Sequence, residues 1–316
     1  MTLLRELRYK LTGFYSRQSS LLSILLKFVL ALAVFLSLKK VIGGEGLFTN
    51  TFLILTLTLL CSILPVAAIP ILGGVMTVGL SWGVGYDAAG AAAVVLMVLL
   101  VLFLRFAPES ALIIVFMPMA MYFGAPQVVP VCAALKQRLT AVLATISGVV
   151  IYYLLLTLHS VGKLGSVSGS ADMMARLEGL ANGIFGRPEM ILNLIILCGV
   201  FVLTHAIRSL PIRNSYLVAV LVGSLFYAVM MPVGGALSGV AVSPAAMALG
   251  AAASIVTSLI FVFFIYDVDY KATEYLQFED DEYYYYVKAM PKMIVRPMLD
   301  DIDDDLEEDE NKEGEG

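Results

Sequence analysis

Residues 88–106 read AAGAAAVVLMVLLVLFLRF, nineteen residues whose one charge, Arg105, stands near the far end. As a helix this stretch rises about 28 Å, close to the roughly 30 Å of hydrocarbon in a bilayer. Similar apolar runs flank it on both sides, at 20–38, 47–67, 69–86, 110–123, 139–158, 190–207, 214–233 and 243–266. Another stretch, 126–135, is half that length and is broken by Pro130. The pattern predicts an all-α polytopic transmembrane helix bundle of nine or ten spans. Composition agrees: 60% of residues are hydrophobic and 14% charged, against roughly 45–50% and 25% in soluble domains. Only 17 Lys, Arg, Asp and Glu lie between Ser20 and Tyr266, too few to cover a water-facing surface.

Charge divides the chain into regions of opposite sign. Residues 1–266 carry 15 Lys and Arg against 7 Asp and Glu, a net of +8, and residues 267–316 carry 5 against 18, a net of −13. Four segments follow: a basic amphipathic N-terminus (1–19), a transmembrane body (20–267), a tyrosine-rich juxtamembrane segment (268–298) and an acidic disordered tail (299–316). Leu3, Leu4, Leu7, Leu11 and Phe14 recur at helical spacing, which suits a helix in the headgroup layer or a plain basic leader. Lys39-Lys40 follows the first run where a cleavage site would stand, so that run is expected to remain as an anchor. Basic residues near span ends favour ten crossings with both termini cytoplasmic. If 126–135 merely dips in, the tail falls outside.

Few side chains offer chemistry. Lys27 lies inside the first run, where it can meet an anionic group or snorkel to the interface. Asp87, beside a Gly-rich run, can meet a cation or act as a solvated turn residue. Breakers cluster at Pro65–Pro70, Pro118–Pro130 and Pro232–Pro244. Non-helical backbone at membrane depth needs protein or a wet cavity to satisfy it. Pro118, Pro126 and Pro130 fit a turn least well, so with Lys27 and Asp87 they are the candidate transport path. Gly79 and Gly83, Gly235 and Gly239, and Gly250 in its four-residue stripe are candidate helix-packing positions. Cys61, Cys132 and Cys198 stand singly, and the two histidines have no metal-ligand spacing. No cofactor, catalytic constellation, P-loop or nucleic-acid partner is expected.

The tail is not uniformly acidic. Residues 274–278 and 283–289 are rich in strand formers and flank Glu279-Asp280-Asp281-Glu282, which predicts a β-hairpin. Tyr283, Tyr284, Tyr285 and Tyr286 are its candidate partner-binding residues. The stretch 271–292, with Phe278-Glu279-Asp280-Asp281-Glu282 and its four tyrosines before Val287-Lys288, resembles the tail of an uncharacterised multi-pass membrane protein family of anaerobic Gram-positive bacteria. The Pro118–Pro130 segment is similar too. The resemblance implies an integral protein of the bacterial plasma membrane and no activity. Two functions stay open. One is a permease-like subunit moving or exporting a small or amphipathic solute, energised by a separate component such as an ATPase. The other is a membrane scaffold whose tail recruits partners for envelope assembly or secretion.

Overall fold

The computed structural model describes residues 19–42, 47–83, 85–106, 108–164, 173–210, 215–240, 243–265, 274–279 and 284–289. The chain divides into two units, 18–262 and a second made of 1–17 with 263–316. The basic segment 1–18, Tyr283 and the acidic tail 299–316 lie outside the described residues.

In the first unit, α1 (Ser19–Ile42), α2 (Thr51–Ile63), α3 (Ala68–Trp82) and α4 (Tyr86–Phe106) lead into two short helices, α5 (Ala111–Tyr122) and α6 (Val128–Lys136). Then come α7 (Val142–Leu164), α8 (Met173–Phe185), α9 (Pro188–Arg208), α10 (Ser215–Ser238) and α11 (Pro244–Ile265). Local chemistry sets many of the ends. Asn50 caps α2 by accepting from the Phe52 N–H at 3.0 Å. Pro188 opens α9, where its missing N–H costs nothing, with Glu189 in the first turn and Arg208 in the last. The short helix α8 buries Leu180 and Ile184.

Among the described residues, four helices are long and apolar enough to cross a membrane: 21–42, 139–161, 188–208 and 215–238. The expected nine or ten full spans are therefore not all present as such. Residues 47–67 give a 3-10 turn and a 13-residue helix, and residues 69–86 give a 15-residue helix. Outward faces are apolar: Val94, Met97 and Val101 on α4, Ile195 on α9 and Leu225 on α10 are all exposed. Such continuous exposed apolar stripes are at home against lipid. Inside, several buried hydroxyls are satisfied by their own helix. Thr58, Thr77 and Ser81 each donate to the carbonyl four residues back, at 2.7–2.8 Å.

Side-chain contacts fix the helix directions. Lys27 early in α1 meets Leu64 after α2, and Phe48 before α2 packs on Gly79 late in α3. His159 near the end of α7 bonds the Val41 carbonyl near the end of α1, so those two helices run parallel. Tyr153 meets Asn193, and Thr204 faces Gly223, so α9 is antiparallel to both α7 and α10. Gly250 faces Gly124 and Gln127 just before α6 and Ser258 lies beside Cys132 within it, so α11 runs parallel to α6. In consequence α1 begins, and α11 ends, at one face of the bundle.

The expected fifth span and the half-length segment turn out to be one element. Ala111, Ile113 and Ile114 at the start of α5 share a buried cluster with Ala133 and Ala134 at the end of α6. The two are antiparallel arms of a helical hairpin. Neither Pro118 nor Pro232 breaks its helix as expected; each lies inside α5 or α10, which continues past it.

The second unit contains strands β1 (Glu274–Glu279) and β2 (Tyr284–Ala289), paired antiparallel with Glu274 opposite Ala289 and Glu279 opposite Tyr284.

Candidate functional site

The α5–α6 hairpin follows from its residues. α5 ends on Gly124, whose φ of +76° suits glycine. The Ala125 N–H reaches the Ala120 carbonyl at 3.0 Å and the Gly124 N–H reaches Met121 at 3.2 Å, the paired bonds of a Schellman end. Pro126, two residues beyond, cannot continue the helix. Pro130 falls in the first turn of α6, where a proline is tolerated. With its backbone bonded internally, the turn can end at depth. Twelve residues carry α5 about 18 Å, while the 23 of α7 beside it rise about 35 Å.

Three neighbouring helices meet the hairpin with a glycine. A Cβ on Gly148 of α7 would lie 2.4 Å from Met117, and one on Gly223 of α10 would lie 3.3 Å from Val131. On Gly250 of α11 it would lie 2.7 Å from the Gly124 carbonyl oxygen. The base is clamped as well. Arg208 donates through Nη1 to the Ala134 carbonyl at 3.0 Å and to that of Leu135, and His205 Nδ1 lies 3.4 Å from Ala134. A cation at the C-terminus of α6 satisfies carbonyls that have no partner within the helix.

At the tip, Tyr122 and Phe123 are exposed while Pro126, Gln127 and Pro130 are buried. Gln127 immediately precedes α6, is 0% exposed, and neither its Oε1 nor its Nε2 has a hydrogen-bond partner. Nε2 lies 3.5 Å from the Gly250 Cβ position. One turn along α11, Ser254 meets Ser224 of α10 at 3.2 Å, both fully buried. Farther along α10, Tyr227 donates to Asn193 Oδ1 at 3.4 Å, and Asn193 Nδ2 donates to Tyr153 at 2.9 Å. Polar side chains thus line successive turns beside the hairpin. Thr145 and Thr204, both 0% exposed, also have hydroxyls without a partner. Among the described residues no three His, Cys, Asp or Glu side chains gather as metal ligands.

The structure separates the residues singled out by sequence. Pro126 and Pro130 shape the hairpin, and Pro118 lies within α5. Lys27 is elsewhere: its Nζ donates to the Leu64 carbonyl at 3.2 Å, at the C-cap of α2. It ties α1 to α2 rather than projecting at a substrate. Lys27→Met keeps the apolar stem and should cost about 1–2 kcal/mol, seen as a lower melting temperature in detergent; an unchanged melt would remove this bond from the account. Asp87 sits in the first turn of α4, where a carboxylate suits the helix dipole.

Of the glycines the sequence marks as packing candidates, Gly250 is the one shown against the hairpin. Gly79 packs on the Phe48 ring, and with Gly83 it borders an apolar groove of about 740 Å³ between α3 and α4. Gly239 ends α10 with φ +69°, and the Val240 N–H bonds the Gly235 carbonyl at 2.9 Å. Gly239 thus stops the helix, while Gly235 is buried within it. Tyr284, Tyr285 and Tyr286 belong to β2, and Tyr283 lies outside the described residues. Gln127, Asn193, Tyr153, Tyr227 and Arg208 are not among the candidates the sequence yields, because Lys, Asp, Gly and Pro inside or beside apolar runs are its plainest signals. An amide inside such a run, as at Gln127 and Asn193, was the available signal.

Comparison with known proteins adds nothing to this. No protein-family model, curated protein or solved structure matches the chain.

Proposed function

We propose that this chain is the membrane subunit of a permease in a bacterial plasma membrane, with the α5–α6 hairpin forming its solute path. The supporting observation is the tip at Gly124–Gln127, which brings a half-helix end and a buried amide to a depth where a simple bundle has only continuous helices. Half-helices of this kind build midplane sites in transporters. With the hairpin returning to its starting face, and with the short α2 and α3 counted as crossings of a locally thinned bilayer beside α1, α4, α7 and α9–α11, the chain would cross eight times. Nine Lys and Arg then fall on the face where α1 begins and five on the other, Lys27 being left out. That bias favours a cytoplasmic N-terminus and tail. Energy would come from a separate component such as an ATPase.

Cysteine scanning tests the path. In a background lacking Cys61, Cys132 and Cys198, single cysteines at 122–127 in right-side-out and inverted vesicles are expected to react with an impermeant maleimide from at least one side. A tip inert from both sides would mean a dry structural wedge and end the permease reading.

A second reading has its own support. Among the described residues the two strands at 274–279 and 284–289 pair only with each other, and isolated hairpins are marginal in water. A hairpin edge can take a strand from a partner, which is how a scaffold would recruit one. Crosslinking at Tyr284–Tyr286 in the full-length protein that captures a defined partner, lost on Val287→Pro, would favour it; no specific product would count against it.

A further inference from the structure

The geometry points to a binding site at the hairpin tip for a small uncharged hydrogen-bonding solute, held by the Gln127 carboxamide. This rests on the permease reading and adds the solute class. Gln127 stands at the N-terminus of the nine-residue α6, fully buried, with its donor and acceptor both unpartnered. Buried polar groups are ordinarily paired, and an amide left with neither bond implies a molecule that supplies both. Gly250 faces the amide without a side chain, with Ser254 and Ser224 on the next turn.

Charge restricts what can bind. Arg208, on the facing helix α9, is engaged at the opposite end of α6 by the Ala134 and Leu135 carbonyls. Lys27 is held at Leu64. On the helices that meet the hairpin, α7 carries no charge from Val142 to Tyr153, and Gly250 to Ser258 of α11 is uncharged. A solute with full charge would sit at depth with no counter-charge. The positive end of the α6 dipole favours an oxygen acceptor towards the helix start. An amide-like group, offering carbonyl and N–H together, complements Gln127 on both counts.

Urea and guanidinium, planar molecules of nearly the same shape and different charge, are the probes. Full-length protein in liposomes is given an inward gradient of either, and re-swelling is followed by stopped-flow light scattering. Urea is expected to enter several-fold faster than into empty liposomes, and guanidinium no faster. Gln127→Leu should abolish the difference. Gln127→Glu, close in shape, should lower urea entry and raise guanidinium entry, and this inversion also shows that the variant is folded. Equal entry of both probes, or urea entry unchanged in both variants, overturns the solute class and leaves the path standing. Absence of urea entry in a protein whose 122–127 cysteines label overturns the solute class alone; absence with an unlabelled tip overturns the permease reading as well.

Discussion

Gly250→Leu should unseat the hairpin from α11. The new Cβ would lie 2.7 Å from the Gly124 carbonyl oxygen, a backbone atom in a turn whose own hydrogen bonds fix its place. Relief requires α11 or the whole tip to move, since no side chain can swing away. Overpacking a tight contact costs about 1–3 kcal/mol, and here the lost Ser224–Ser254 and Cys132–Ser258 contacts add to it. A drop of about 5–10 °C in melting temperature in detergent is expected. Gly90→Leu is the matched control: nothing lies within 4 Å of its Cβ position, so a slight gain from helix propensity is expected. Equal behaviour of the two variants would show that α11 does not press on the tip.

Arg208→Met should loosen the other end of the same element. It removes the donor to Ala134 and Leu135, leaving carbonyls beneath a fully buried Leu135 side chain. Bonds from a charged donor are worth about 1.5–3 kcal/mol, and His205, 3.4 Å from Ala134, makes good only a part. The loss should be local. Hydrogen exchange read by mass spectrometry is expected to speed up in 131–137, with α9 itself little changed because its own ladder ends at Ser209. Uniform acceleration across α9 and α10 would mean that Arg208 holds the bundle and not the hairpin.

The long helices were legible because lipid-facing residues and packed residues are both apolar, so a span is simply a run. Val142–Leu164 and Pro188–Arg208 lie within a few residues of the runs that predicted them. Direction was not legible. A 12-residue run can cross only a locally thinned bilayer or turn back, and the choice rests on Ala111 and Ile114 clustering with Ala133, which no local pattern encodes. Prolines misled for a related reason. A membrane helix gripped on several sides, as α5 is by α7 and α6, carries a Pro118 that would disrupt a lone helix. Gly124 with Pro126 was legible as a helix stop. That the next residue, Gln127, is buried without a partner depends on Gly250, more than a hundred positions away.

A hairpin that returns to the side it came from has a consequence for how such a chain can change. Excising residues 107–141 would leave α7 and every later helix pointing the way each points now, because the excised piece contributes no net reversal. An insert of this kind can be acquired, duplicated or discarded in one genetic event without turning the remaining protein inside out, whereas gain or loss of any one full crossing would invert all that follows.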